Sequence, residues 1–389
     1  MKKEFIITLL TTLLYSDSIS YLNSIRNSVG LNQLKVEKHL SKAASKHAKY
    51  LLENNINSHY EKNTRYFYEK TPALRAIKSG YPTKDIKENI ATNAKSEEDA
   101  IDTLFSAIYH RFVFLDFTID QIGKGIVKDK SKKTIKSVYV YDMGSSQIAR
   151  LCQDDFLTLE GIYYIQNMCK DSTHYIPKDI YKKAKDTIMA KNPKMVIFPN
   201  INQQDVPTVF YQEYPNPMPG YKVSGYPISV ELNPYYFKDI KIKRFRLYDD
   251  KKRMVRVKLL KQSNDPNKKF KPYQFAIIPK QRLSYNKTYT AYFEAYTNQG
   301  TIKQKWTFQT KKFLQPLYTI TKDYNVIYIP KKTKEIILYF KPRNRKDILQ
   351  KVEAGSKVDY IDANTIKVSI SQLPVVVKTG DRKVILKEK

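Results

Sequence analysis

Apolar residues recur at helical spacing in the first third of the chain and at a spacing of two through its last half. Leu22, Ile25 and Val29 share one helical face that stops at Gly30. Leu40, Ala43, Ala44, His47, Ala48 and Leu51 form a longer apolar face ending at Asn54-Asn55. Thr71-Pro72 opens a short helix that Gly80 closes, and Ser96-Glu97-Glu98-Asp99 puts acids in the first turn of another. That last helix carries Ile101, Leu104, Phe105 and Ile108 on one face and is expected to end at His110. Ile122–Val127 and Val138–Tyr141 flank a lysine-rich turn and predict a hairpin. Helices followed by strands predict a helix–sheet sandwich over residues 19–146.

Residues 147–195 hold two cysteines and a helical run from Ile180 to Ala190, and read as a connector. Eight of the 18 prolines then fall between Pro193 and Pro234, which predicts an extended boundary segment without helix or central strand. Alternation follows. Val255, Val257 and Leu259 point one way, Tyr289, Ala291, Phe293 and Ala295 form a second set, and Trp306 and Phe308 follow the Asn298-Gln299-Gly300 turn. Several short strands of this kind predict an immunoglobulin-like β-sandwich at 196–312, without an inter-sheet cysteine pair. Residues 313–389 repeat the pattern more weakly and read as a small C-terminal β domain. The fold class expected for the whole chain is multi-domain α+β.

Two features suggest export. Met1-Lys2-Lys3 precedes an eleven-residue, largely apolar run, Phe5 to Tyr15, and then Ser16-Asp17-Ser18. This is the layout of a signal peptide, set at 1–18; a buried amphipathic helix is the alternative. The run is too short to span a bilayer, which needs about 20 residues, and no other segment has the apolar length. In an oxidising compartment Cys152 and Cys169 would form a disulfide; otherwise they are two buried thiols.

Charge adds a second expectation. Lys+Arg exceeds Asp+Glu by 69 − 38 = 31, and only 13 of the basic residues are arginine. Lysine, asparagine, isoleucine and tyrosine are raised together, as codon bias in an AT-rich genome would produce, so the charge has a bland origin available. Its physical effect is the same: attraction to anionic lipid or acidic glycan, with no specific nucleic acid implied. Lys241, Lys243, Arg244, Arg246, Lys251, Lys252, Arg253, Arg256, Lys258 and Lys261 are expected to project much of this charge to one solvent face.

Familiar catalytic motifs are absent: no nucleophile elbow, phosphate loop, dinucleotide-binding glycine pattern or His-Glu-x-x-His. No Ser or Cys shows a base-and-orienter arrangement, which argues against a serine or cysteine protease. The five histidines are His39, His47, His59, His110 and His174, and His47 reads as a packed core residue.

Several segments in order resemble one family. They are Tyr21-Leu22-Asn23-Ser24-Ile25-Arg26, Ala43-Ala44-Ser45-Lys46-His47-Ala48, Ser58-His59, Leu74-Arg75-Ala76 with Gly80-Tyr81, Glu88-Asn89-Ile90, Tyr109-His110-Arg111 and Ile122-Gly123-Lys124-Gly125. Together they resemble the bacterial branch of the CAP superfamily, which groups cysteine-rich secretory proteins, antigen 5 and pathogenesis-related 1 proteins. The resemblance covers about a third of the chain. It implies an α-β-α sandwich whose cleft is lined by two histidines and two acids, with His59, His110 and Glu88 in three of those places. The fourth has no match in Leu104-Phe105-Ser106-Ala107.

Two His and one Glu are the ligand set of an open site for a divalent metal such as zinc. A hydrogen-bonded polar network holding the cleft together is the competing reading. The expectation is therefore an exported protein, periplasmic, surface-associated or secreted, that binds an envelope or extracellular ligand. A metal-dependent hydrolase at the same cleft and an adhesin-like protein with an inert CAP domain are the alternatives.

Overall fold

A computed structural model describes residues 17–389 of the protein. The described residues fold as two compact units: 17–105 with His110–Pro193, and Ser106–Tyr109 with Lys194–Lys389. The expected leader lies outside the described residues except for Asp17 and Ser18. Asp17 accepts from the backbone N–H of Ile19 at 2.7 Å and so caps the first helix. Ser18 is buried, and its hydroxyl donates to Glu97 Oε2 at 2.7 Å.

The first unit begins with α1 (Ser18–Ser28), β1 (Lys35–Val36), α2 (Lys38–Asn54) and α3 (Pro72–Ser79). It continues with β2 (Lys87–Thr92), α4 (Glu97–Ser106), α5 (Ile108–Phe114), β3 (Gln121–Lys128) and β4 (Ser137–Gly144). The sheet runs β1-β3-β4-β2, with β4 antiparallel to both neighbours and β1 parallel to β3. Every residue of β4 is buried because helices cover both of its faces. Val138 and Val140 join a core with Ala44, Ala48 and Leu51 of α2. On the opposite face Tyr141 meets Phe114 of α5 edge to face, ring centroids 5.6 Å apart.

Two glycines set how closely α2 can lie on the sheet. A Cβ at Gly123 would stand 2.0 Å from Ser41 N, and one at Gly125 would stand 2.2 Å from the Ala44 carbonyl carbon. Helix backbone thus rests directly on strand backbone.

The single helix expected from Ser96 to His110 is instead two. α4 ends at Ser106, and His110 lies inside α5. The buried Arg111 side chain stabilises the break, its Nε donating to Phe105 O at 2.6 Å. An orphan helix-end carbonyl is thereby satisfied.

Residues 147–193, read as a connector, belong to the first unit. They follow the start of α6 (Ser146–Leu151) and contain α7 (Lys178–Met189), and Cys152 is bonded to Cys169. Ile148, Leu151, Cys169, Ile176 and Ala184 form a small core that explains the docking. Intact-mass analysis of the protein is expected to find no free thiol. Reduction should destabilise this subdomain by about 3 kcal/mol, the loop-closure value for a ring of this size.

The second unit contains two pairs of four-stranded sheets. In the first pair, one sheet runs Val257–Leu260, Gln274–Pro279, Ile228–Leu232, Met195–Phe198. The other runs Lys241–Tyr248, Thr288–Thr297, Gly300–Thr310, Gln203–Val206. Phe275 of one sheet meets Phe293 of the other at 5.6 Å. The proline-rich segment therefore corrects the sequence expectation, because Ile228–Leu232 is a central strand. Prolines occupy the connections, at Pro199, Pro207, Pro215, Pro217, Pro219, Pro227 and Pro234, so no interior ladder donor is lost.

The basic stretch is also divided, since Lys241–Tyr248 and Val257–Leu260 lie in different sheets. The residues after Phe313 form the second pair, around Ile329, Ile336, Leu338, Phe340, Val377 and Leu386. Within this unit Arg282 joins the two pairs, donating from Nη1 to Asp362 Oδ1 at 2.8 Å and from Nη2 to Oδ2 at 2.6 Å.

Candidate functional site

The site grows from the end of α2 and the start of β2. Asn55 takes the left-handed conformation (φ 54°), ends α2 and turns the chain towards Ser58-His59. Glu88 is the second residue of β2, an edge strand, and points to the same face as Ile90, which packs with α2. His59 Nδ1 donates to Glu88 Oε1 at 2.8 Å, while Arg75 Nη2 from α3 donates to Glu88 Oε2 at 2.8 Å. Arg75 also donates to the His59 carbonyl at 3.1 Å, fixing the loop that carries the histidine.

Behind this corner lie further buried polar groups. His47 is buried, as expected, but it is not simply packed: Nδ1 donates to Glu61 Oε1 at 2.8 Å and Nε2 to Ser58 O at 2.9 Å. Both partners are acceptors, so both ring nitrogens donate. Asp142 of β4 is the register partner of Glu88 and is fully buried. Neither of its oxygens meets a hydrogen-bond donor.

Electrostatics separate the two carboxyls. Burial alone would raise Glu88, but the His59 hydrogen bond and the charges of His47, Arg75 and His59 outweigh it and hold the carboxyl below its usual range. Burial, reinforced by the Glu88 charge, pushes Asp142 well above the usual range, with Arg75 only partly opposing. Of the pair, Glu88 therefore gives up its proton more readily and Asp142 holds its proton to higher pH.

What this corner presents outward is His59. Its side chain is 44% exposed, against 2% for Glu88, and with Nδ1 bonded to Glu88 the ring has Nε2 available. His110 lies on α5, where its main-chain carbonyl accepts from Asn89 Nδ2 at 3.0 Å. Among the described residues, no three His, Cys, Asp or Glu side chains gather as a metal-ligating group. Glu88 does not fit a ligand place in this arrangement, because one oxygen serves His59 and the other a guanidinium. It fits the role of a carboxylate that orients a histidine. Arg75, Glu61 and Asp142 were not singled out from sequence, although Arg75 stands inside the Leu74-Arg75-Ala76 segment. A fully buried arginine is legible only once its partners are placed.

Glu88→Gln should destabilise the first unit by about 3 kcal/mol, because buried Arg75 would lose its closer carboxylate partner at 2.8 Å and keep only Glu61 at 3.8 Å. Urea unfolding would measure it, and a loss under about 1 kcal/mol would mean that Glu61 takes over the pairing.

Residues 19–142 match the family model described as CAP: Cysteine-rich secretory protein family. Among solved structures, an outer surface protein from Borrelia burgdorferi is similar at 21% identity, covering 33% of this chain and 88% of its own, with a TM-score of 0.29. An extracellular protein containing an SCP domain from Bacillus anthracis str. Ames is similar at 22% identity over 33% of this chain, with a TM-score of 0.29. The match spans 39% of that Bacillus protein. No curated protein matches the chain.

Proposed function

From the premise that residues 19–142 are a CAP domain, we propose that the protein is exported and that this domain binds an extracellular ligand at the His59–Glu88–Arg75 corner. The observation that carries this reading is the division of labour at His59. Its Nδ1 is held by a carboxylate that Arg75 fixes in turn, and its exposed ring has Nε2 available for a ligand. Such an imidazole accepts a ligand hydroxyl or amide proton, or donates one electron pair to a cation. The disulfide supports export, since such bonds persist in oxidising compartments. Among the described residues no helix is long and apolar enough to cross a membrane. Signal cleavage ahead of Asp17 would keep the cap of α1, so the mature N-terminus is expected at or before that residue.

The immunoglobulin-like reading of residues 196–312 rests on strand order. Counting strands along the chain, the two sheets run in the D-E-B-A and C-F-G arrangement of that fold, with Gln203–Val206 added beside the last strand. These strands would space the CAP domain from other modules or add binding surface.

The test is native mass spectrometry of full-length protein recovered from outside the cytoplasm, as wild type and as His59→Ala. A bound species present in the wild type and lost in the variant supports the reading; identical spectra sink it. Zinc added to both proteins examines the metal reading, in which His59→Ala removes a one-to-one zinc adduct. The hydrolase reading draws on the same His–Glu pair, which has the geometry of a general base with its orienting carboxylate. It requires turnover that disappears in His59→Ala while the melting curve is unchanged.

A further inference from the structure

In the second unit, the sheet of Lys241–Tyr248, Thr288–Thr297 and Gly300–Thr310 has a groove of about 450 Å³ on its outer side. Strand alternation decides what lines it. Phe245, Leu247, Ala291, Phe293, Trp306 and Phe308 are buried towards the core. Arg244, Arg246, Tyr248, Tyr292 and Lys305 therefore project outward and line the groove with Lys252. The register sets Arg246, Tyr292 and Lys305 side by side across three strands.

Charge in the groove is compensated unevenly. A bulge between Ile242 and Arg244 lets consecutive residues reach one carboxylate: Lys243 Nζ lies 3.1 Å and Arg244 Nε 2.9 Å from Glu294. Arg244 also sits over the Tyr292 ring, whose hydroxyl donates to Glu294 at 3.1 Å. Asp249, at the rim, is taken by Arg253 at 2.7 Å. Among the described residues, no carboxylate pairs with Arg246, Lys252 or Lys305, and no ring or hydrogen bond engages the Tyr248 side chain. Three open cations and one open aromatic ring thus share a concave surface.

We propose that this groove binds an acidic polysaccharide, a chain of sugar rings carrying carboxylate or sulfate groups. Strands about 4.8 Å apart place Arg246 and Lys305, two strands away, roughly 10 Å from each other. That separation suits a chain whose acidic groups recur on alternate sugars. The planar arginine fork binds carboxylate or sulfate oxygens in pairs, and lysine adds a point charge. Tyr248 offers the apolar face against which the C–H side of a pyranose packs. A single-stranded nucleic acid is held by successive stacking platforms, and here one ring is open. An anionic bilayer presents a broad surface to a protruding basic patch, whereas these cations line a concavity. The groove belongs wholly to the second unit and is independent of the His59 corner.

The test uses the full chain at physiological salt, with heparin as the sulfated probe and polygalacturonate as the carboxylated one. Arg246→Ala/Lys305→Ala is expected to weaken binding to at least one of them by about tenfold. Lys322→Ala/Lys332→Ala removes the same charge from exposed positions elsewhere and should change it less than about twofold. Tyr248→Ala, which leaves charge unaltered, should weaken glycan binding but not binding of inorganic polyphosphate. Loss confined to heparin assigns sulfate, and loss confined to polygalacturonate assigns carboxylate; either supports the proposal. Equal losses in the two double variants would overturn it, as would no glycan binding at all. Phosphatidylglycerol vesicles or oligo(dT) binding more tightly than both glycans would also overturn it.

Discussion

Gly125→Ala is expected to destabilise the first unit by about 3 kcal/mol, at the upper end of overpacking effects. The added methyl carbon would fall 2.2 Å from the Ala44 carbonyl carbon and 2.3 Å from both Ala44 O and Ser45 N. These are backbone atoms of α2, so no side-chain rotation relieves the clash and the helix itself must lift. Because α2 carries His47 and leads into the His59 loop, lifting it also loosens the candidate site. For a unit of this size the loss corresponds to a fall in melting temperature of roughly 6–12 °C. Gly355→Ala is the control: nothing lies within 4 Å of its Cβ position, so the change should be neutral or slightly stabilising. Calorimetry of both variants decides the matter. A Gly125→Ala transition within about 2 °C of wild type would mean that helix and strand are not in backbone contact.

Asp362→Ala should have a comparable effect on the second unit, about 3–5 kcal/mol. Arg282 has 2% of its side chain exposed and donates from both terminal nitrogens to Asp362, with Nε donating to Thr208 Oγ1 at 2.9 Å. Tyr211 donates to the same carboxylate at 2.8 Å, and Tyr285 at 2.9 Å. Removing the aspartate strands a buried cation, whereas replacing both partners with apolar residues should lose less than either single change.

The pair also predicts acid sensitivity. Burial alone would raise the Asp362 carboxyl, but the Arg282 hydrogen bonds and charge outweigh it and hold it below the usual carboxylate range. Its stabilisation is therefore complete above the unfolded value of about 4 and is lost as pH falls below it, through the depressed folded value. Denaturant midpoints of the second unit should fall more steeply with acid in wild type than in Asp362→Ala. Parallel pH profiles would show that the ion pair contributes nothing net.

Local signals determined much of this protein. Apolar spacing and caps placed α1, α2 and α3 close to where they lie, because Leu22, Leu40 and Leu51 bury one face and Thr71-Pro72, Gly80 and Asn55 act on their own backbone. Alternation likewise placed Thr288–Thr297 and Gly300–Thr310, where inward and outward positions differ in polarity. Ordered segments such as Ser58-His59 and Glu88-Asn89-Ile90 pointed to the family whose model matches residues 19–142.

Tertiary structure alone decided the rest. The break between α4 and α5 depends on Arg111 reaching Phe105 O, and the central strand Ile228–Leu232 on partners 31 or more residues away. At the site, Glu88 and His59 were legible through the family resemblance of the segments Ser58-His59 and Glu88-Asn89-Ile90, whereas Arg75 and Asp142 were not. Arg75 reads as an ordinary helix residue until α3 buries it, and Asp142 as a polar residue in a hairpin until β2 pairs beside it. The basic stretch shows the same limit. Its charges are plain in sequence, but sheet assignment separates them, with Lys258 in one sheet and Arg246 in the other. Only register sets Arg246 beside Tyr292 and Lys305. Spacing along a chain fixes which residues share a face, while long-range pairing fixes which faces meet.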